Sequence, residues 1–238
     1  MAEGSINTET LIGLLRLMGH DIRAPLGSLI STNDMLIAGT YDPLTDKQMH
    51  AAQRMKRNSR RALAIIDDFI TYVKAEAADL IPYSQPFDPR AELETCVHQV
   101  KPSAEEKGLL CDLLITDSVP QQLVGDAALI RQVVTALLWN GVAFTASGSL
   151  RVESDWSVAS GWSMRFRDTG SGISSEDAPH IFEPFFRGQE RPQVPTAGAG
   201  LGLALSAALV KLMRGQLTLE STGAAGSTFC LNLPIPCA

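Results

Sequence analysis

From Leu11 onward the apolar residues Leu11, Leu15, Met18, Ile22, Leu26, Leu29 and Leu36 fall at steps of three, four or seven residues. That spacing is the seam of a helix packed in a bundle, and it predicts a first helix over about 5–39. The run Gly39-Thr40-Tyr41-Asp42-Pro43 stops it, and Thr45 or Asp46 can cap a second helix reaching about 77. There Met55, Ala62, Ile66, Phe69 and Val73 repeat the apolar stripe, while Lys56, Arg57, Arg60 and Arg61 mark a solvated or partner-facing side. Two amphipathic helices joined by a short loop cannot bury their own stripe. A homodimeric four-helix bundle resolves this most simply.

The pattern then breaks. Pro82, Pro86 and Pro89 stand among polar residues, so 79–89 reads as a linker between a domain at 1–78 and another at 90–238. Beyond it, residues 110–115, 150–156, 162–166, 217–219 and 229–233 read as strands, several with period-2 alternation. Stretches near 90–106, 126–143 and 200–213 read as helices between them. The second domain is expected to be an α+β two-layer sandwich with a mostly antiparallel sheet.

Bulk properties narrow the function. With 238 residues, 45% hydrophobic and 19% charged, the chain can build a core. A formal charge of −6 gives no positive field for a nucleic-acid backbone. Cys96, Cys111, Cys230 and Cys237 form neither a metal-ligand cluster nor a disulfide framework, which fits a reducing, cytoplasmic compartment. No apolar run has the length and freedom from charge of a membrane helix, and the start lacks a signal-peptide pattern. Such a chain suits the soluble part of a larger or membrane-attached protein.

Several short segments carry chemistry. His20, in Gly19-His20-Asp21-Ile22-Arg23-Ala24-Pro25-Leu26, falls roughly opposite the seam at 100° per residue, which predicts a solvent-facing imidazole. Such a ring is largely neutral at pH 7 and can attack phosphorus, with Asp21 able to orient its proton. Pro25 removes the helical donor to the Asp21 carbonyl and predicts a bend one turn past His20. On geometry alone the same residue is equally an ordinary surface histidine. Asn140 lies in Leu137-Leu138-Trp139-Asn140-Gly141, where an amide oxygen could hold Mg²⁺ or simply be a satisfied core amide. Asp168-Thr169-Gly170-Ser171-Gly172-Ile173 follows a strand and permits a carboxylate with close backbone approach; it also resembles the active-site loop of pepsin-like proteases. The chain lacks the second Asp-Thr-Gly that such a protease needs. Gly198, Gly200, Leu201 and Gly202 open a helix, where free backbone N–H groups attract phosphate, although a Gly-x-Gly-x-Gly run by itself also occurs in dinucleotide-binding loops.

Taken in order, these segments resemble the sensor histidine kinases of two-component systems. His-Asp-x-Arg-x-Pro-Leu is similar to the phospho-acceptor box, and the segment around Asn140 to the asparagine box. The Asp168 loop is similar to the first glycine box. Phe182-Glu183-Pro184-Phe185-Phe186-Arg187-Gly188 resembles the phenylalanine box that anchors a mobile lid, here 188–197 by composition. Gly198–Gly202 and Gly226-Ser227-Thr228-Phe229 resemble the later glycine boxes. The likeness spans about residues 10–235. It implies a dimerisation and histidine-phosphotransfer hairpin followed by a Bergerat-type ATP-binding domain. It further implies ATP-dependent phosphorylation of His20 with help from Asp21, and transfer to an aspartate of a response regulator. Asn140 would hold Mg²⁺, and Asp168 would accept from the adenine amino group. Gly170, Gly172, Phe185, Arg187, Gly198, Gly200, Leu201, Gly202 and Thr228 would line the ATP site. A sensor domain outside this chain would supply the input.

Three positions depart from the family. Ala136 and Ala143 replace polar and basic residues of the asparagine box, and Ala24 replaces the Thr or Asn that positions water for partner dephosphorylation. One lost charge-assisted phosphate contact costs on the order of 1.5–3 kcal/mol, enough to slow a reaction without forbidding it. These departures predict a modest kinase with little phosphatase activity. They also motivate a second reading, a degenerate kinase acting as a nucleotide-gated dimeric scaffold. A related ATPase of the chaperone or mismatch-repair type would need a glutamate at Ala136 and has no use for the His20 hairpin.

Overall fold

The computed structural model describes residues 8–188 and 199–237, and for 8–18 and His20 it describes the backbone alone. The chain divides into two compact units, Met1–Ala77 and Ala78–Ala238.

The first unit is a helical hairpin of α1 (Thr8–Ile37) and α2 (Asp46–Glu76). Helix α1 continues through Pro25. Thr45 caps α2 with a capping box: its side chain accepts from the Gln48 N–H while the Gln48 side chain accepts from the Thr45 N–H at 2.9 Å. Gly19 lies tight against α2, since a Cβ there would fall 2.1 Å from Ile70 Cδ1. Asp67 on α2 accepts from Arg23 Nε at 2.6 Å, and Lys56 pairs with Asp34. Along the expected seam, Leu29 (54%) and Met55 (49%) remain exposed in the single chain, with Ile22 also accessible. The hairpin thus leaves an apolar stripe uncovered.

The second unit runs β1 (Gln85–Phe87), α3 (Pro89–Glu106), β2 (Leu110–Ile115), β3 (Leu123–Gly125), α4 (Ala127–Phe144), β4 (Ser149–Ser157), β5 (Gly161–Asp168), α5 (Gly202–Leu212), β6 (Gln216–Gly223) and β7 (Gly226–Leu233). The main sheet has the order β2-β4-β5-β7-β6, antiparallel except for the β2–β4 pair. Its inner face buries Leu150, Val152, Trp162, Met164, Phe166, Phe229, Leu231 and Leu233. Against them pack Ile130, Val133, Val134 and Leu138 of α4 and Leu205 and Leu209 of α5, forming one core between two layers. Helix α4 has the length and composition of a membrane span. Apolar character on most faces of a helix also belongs to a core helix, and α4 packs against both α3 and α5.

The stretch 79–89 differs from its expected role as a linker. Gln85–Phe87 pairs antiparallel with β3, and Pro89 already begins α3. The prolines are compatible because a two-stranded edge ribbon requires few donors. Asp126 fastens this segment: Oδ2 accepts from the Tyr83 N–H at 2.7 Å, while Oδ1 accepts from Ala128 and Leu129 at 3.1 Å as the cap of α4.

Candidate active site

The α4 side of the sheet forms a cleft lined by Leu138, Gly141, Leu150, Phe166, Asp168 and Phe229. Asp168 ends β5, buried at 8% exposure. Its Oδ1 accepts from the Gly170 N–H at 2.8 Å and the Ser227 N–H at 3.3 Å. One oxygen thus absorbs two backbone donors, and among the described residues none donates to the other. Burial pushes the carboxyl upward from its ordinary range, partly offset by those two donors.

The surrounding glycines fit tightly. A Cβ on Gly170 would meet the Phe144 carbonyl oxygen at 2.4 Å, and one on Gly226 the Asp168 carbonyl oxygen at 2.0 Å. Gly172 has φ +75 and lies against Gly223, so the loop after β5 and the β6–β7 turn touch backbone to backbone. The predicted Thr228 is not beside the carboxylate. It pairs with Arg167 across the β5–β7 ladder, on the face opposite Asp168, because successive strand residues alternate sides. Ser227, buried at 4%, occupies the inner position instead. The alternation back from Leu233, Leu231 and Phe229 already put Ser227 on that face.

Asn140 stands one residue before Gly141 near the end of α4, half-buried, and its side chain makes no hydrogen bond among the described residues. An amide oxygen left free beside a cleft suits a hard cation such as Mg²⁺, which accepts oxygen ligands and keeps several waters. Among the described residues no cluster of three His, Cys, Asp or Glu offers an all-protein metal site.

Further along, the Phe185 N–H donates to the Gly200 carbonyl at 3.0 Å. Both residues adopt left-handed backbone, at φ +65 and +79. Arg187 is exposed, while Gly198 and residues 189–197 of the expected lid lie outside the described residues. Leu201 is buried at 2% and serves as the N-cap of α5 with no side-chain cap bond. A Cβ on Gly202 would meet nothing within 4 Å. The start of α5 thus has no side-chain cap and has open space beside Gly202, a combination that suits an anion-binding helix start. On the hairpin unit, His20 belongs to α1 and its side chain lies outside those described; Asp21 beside it is exposed.

Two family models match this chain. The His Kinase A (phospho-acceptor) domain matches residues 11–78, and the histidine kinase-, DNA gyrase B- and HSP90-like ATPase matches residues 125–236. The chain belongs to the sensor histidine kinase family. Sensor protein TorS of Escherichia coli K12 is 30% identical over 236 residues, covering 98% of this chain and 25% of TorS. Sensor protein GacS of Pseudomonas syringae pv. syringae is 29% identical over 223 residues, covering 92% of this chain and 24% of GacS. The chain thus spans about a quarter of the length of these kinases. The kinase fold is shared with ShkA, whose full-length crystal structure contains AMPPNP: the TM-score is 0.82 at 23% identity, over 95% of this chain and 46% of ShkA. The histidine kinase AdeS of Acinetobacter baumannii gives a TM-score of 0.64 at 23% identity, over 90% of this chain and 96% of AdeS.

Proposed function

We propose that this chain is the catalytic core of a two-component signalling kinase, phosphorylating its own His20 from ATP and passing the phosphoryl group to an aspartate of a response regulator. Residues 1–78 serve as the dimerisation and phosphotransfer part and 90–238 as the ATP-binding part, on the cytoplasmic side of a longer sensor protein. The observation that carries the reading is Asp168, a buried carboxylate whose one oxygen is taken by backbone donors. The free oxygen suits the amino group of adenine. Gly170 and Gly172 admit the base closely, and the uncapped start of α5 at Leu201 and Gly202 suits the phosphates.

In the reaction, a neutral ring nitrogen of His20 attacks the γ-phosphorus, the bond to the ADP oxygen breaks, and ADP leaves with that electron pair. Asp21 orients the imidazole and stabilises positive charge on it. Asn140 would hold Mg²⁺, which neutralises charge on the phosphate oxygens when bound. Phe185 and Gly200 fix the two ends of the segment that carries Arg187 and Gly198. Phosphoryl transfer of this kind relies mainly on positioning and charge neutralisation, so the losses at Ala136 and Ala143 slow it without abolishing it. The uncovered stripe of Ile22, Leu29 and Met55 suits a second copy of the hairpin.

The test is a two-stage transfer. Protein incubated with γ-labelled ATP and Mg²⁺, freed of nucleotide and mixed with a receiver domain, should lose its label to that domain's aspartate. Label that never enters the protein, despite measurable ATP binding, would leave a nucleotide-gated scaffold in place of a kinase.

A further inference from the structure

The loop after Asp168 is tied down by a side chain from another strand. Thr222, exposed near the end of β6, accepts the Ile173 N–H on its Oγ1 at 2.7 Å. The same oxygen lies 3.1 Å from Ser227 Oγ and 3.4 Å from the Ile173 carbonyl oxygen. A threonine hydroxyl carries one proton, so it donates to Ser227 or to the Ile173 carbonyl and not to both. Ser227 in turn donates its backbone N–H to Asp168 Oδ1.

One hydroxyl therefore joins the far end of the 170–173 loop to the residue seated beside the carboxylate. The near end is fixed by the Gly170 N–H on the same carboxylate oxygen. Between these anchors Gly172 lies against Gly223, where a Cβ would come within 2.1 Å of a backbone oxygen. Among the described residues no side chain of the loop makes a hydrogen bond beyond the loop at that end. Ser171 Oγ reaches only the neighbouring Gly172 carbonyl, at 3.3 Å.

We propose that Thr222 is a positioning residue for adenine recognition, setting the seat of the 170–173 loop and the direction of the Ser227 hydroxyl beside Asp168. This rests on the reading of Asp168 as the adenine-binding group. Thr222 acts through Ile173 and Ser227 without touching the nucleotide. When it donates to Ser227, the Ser227 proton is free for another acceptor. When it receives from Ser227, its own proton is left for Ile173. Either way the loop and Ser227 stay seated, which keeps Asp168 aligned for an amino group on the base.

The test compares ADP with IDP, whose base presents a carbonyl oxygen where adenine presents an amino group. Dissociation constants for both nucleotides and melting temperatures are measured on the full chain for the wild type, Thr222→Val and Thr222→Ser. The wild type should prefer ADP. Thr222→Val removes one hydrogen-bonding group, so ADP binding should weaken about three- to tenfold, with IDP affected less. The ADP preference then narrows while the melting temperature stays near that of the wild type, and Thr222→Ser restores the preference. Unchanged ADP binding in Thr222→Val, or equal weakening of both nucleotides with a lowered melting temperature, overturns the proposal. A wild type that binds both nucleotides equally overturns the reading of Asp168 and the proposal with it.

Discussion

The Phe185 amide donates to the Gly200 carbonyl at 3.0 Å, a backbone hydrogen bond between two residues fifteen apart in the chain. Gly200 is confined there twice over. Its φ is +79, and a Cβ would fall 2.6 Å from the Phe186 carbonyl oxygen and 2.9 Å from the Phe185 carbonyl carbon. Gly202, two residues on, is confined by nothing within 4 Å.

These two glycines should therefore respond differently to the same substitution. Gly200→Ala forces a left-handed alanine, at about 1–2 kcal/mol for the conformation alone, and pushes against backbone. It should lower the melting temperature by a few degrees and weaken ATP. Gly202→Ala sits in an open helical first turn, where alanine is the better helix former by up to about 1 kcal/mol. It should leave the melting temperature unchanged or raised, yet weaken ATP by crowding the phosphates. Thermal melts with and without ATP separate the two outcomes. A Gly202→Ala variant that binds ATP as well as the wild type would count against phosphates at the start of α5.

Asp168 should show a conflict between binding and stability. Its folded-state pKa is raised by burial, so its favourable contribution is complete at low pH and is lost as pH rises through that raised value. At neutral pH the buried charge therefore costs stability. Asp168→Asn keeps an oxygen for the Gly170 and Ser227 donors and removes the charge. It should be at least as stable as the wild type at pH 7, with that advantage disappearing toward pH 4. ATP affinity should fall about 10- to 100-fold, the loss of one charge-assisted hydrogen bond of roughly 1.5–3 kcal/mol. Denaturant melts at both pH values and calorimetric titration with ATP provide the check.

The exposed seam of the hairpin predicts self-association. Leu29→Glu places a charge in the stripe that also exposes Ile22 and Met55. It should convert a dimer to a monomer in light scattering at micromolar concentration. A wild-type chain that is already monomeric at such concentrations would contradict the account of the stripe.

Much of this was legible before any coordinates, for definite physical reasons. The helix over 46–76 is legible from its apolar periodicity and from Thr45, whose side chain accepts from a free N–H, whereas α4, apolar on most faces, is legible only as a helical stretch and its cap Asp126 reads as part of it. Strand β1 was hidden because Pro86 and its polar neighbours resemble a linker, and its partner β3 has only three residues. Neither carries enough alternation to stand out locally; each is a strand because the other is present. Thr228 comes from motif likeness, whereas the alternation of β7 puts Ser227 on the inner face. Thr222 had no local signal. Its role arises where the β6–β7 hairpin folds onto the loop after β5, a pairing distant in sequence.

The most direct measurement is the site of the label. After incubation with γ-labelled ATP and Mg²⁺, the wild-type chain should carry a phosphoryl group that survives alkali and is lost in acid, the behaviour of a phosphorus–nitrogen bond. His20→Gln should carry none while still binding ATP. Label of the same stability on His20→Gln, or on another residue of the wild type, would contradict the assignment of His20 as the acceptor.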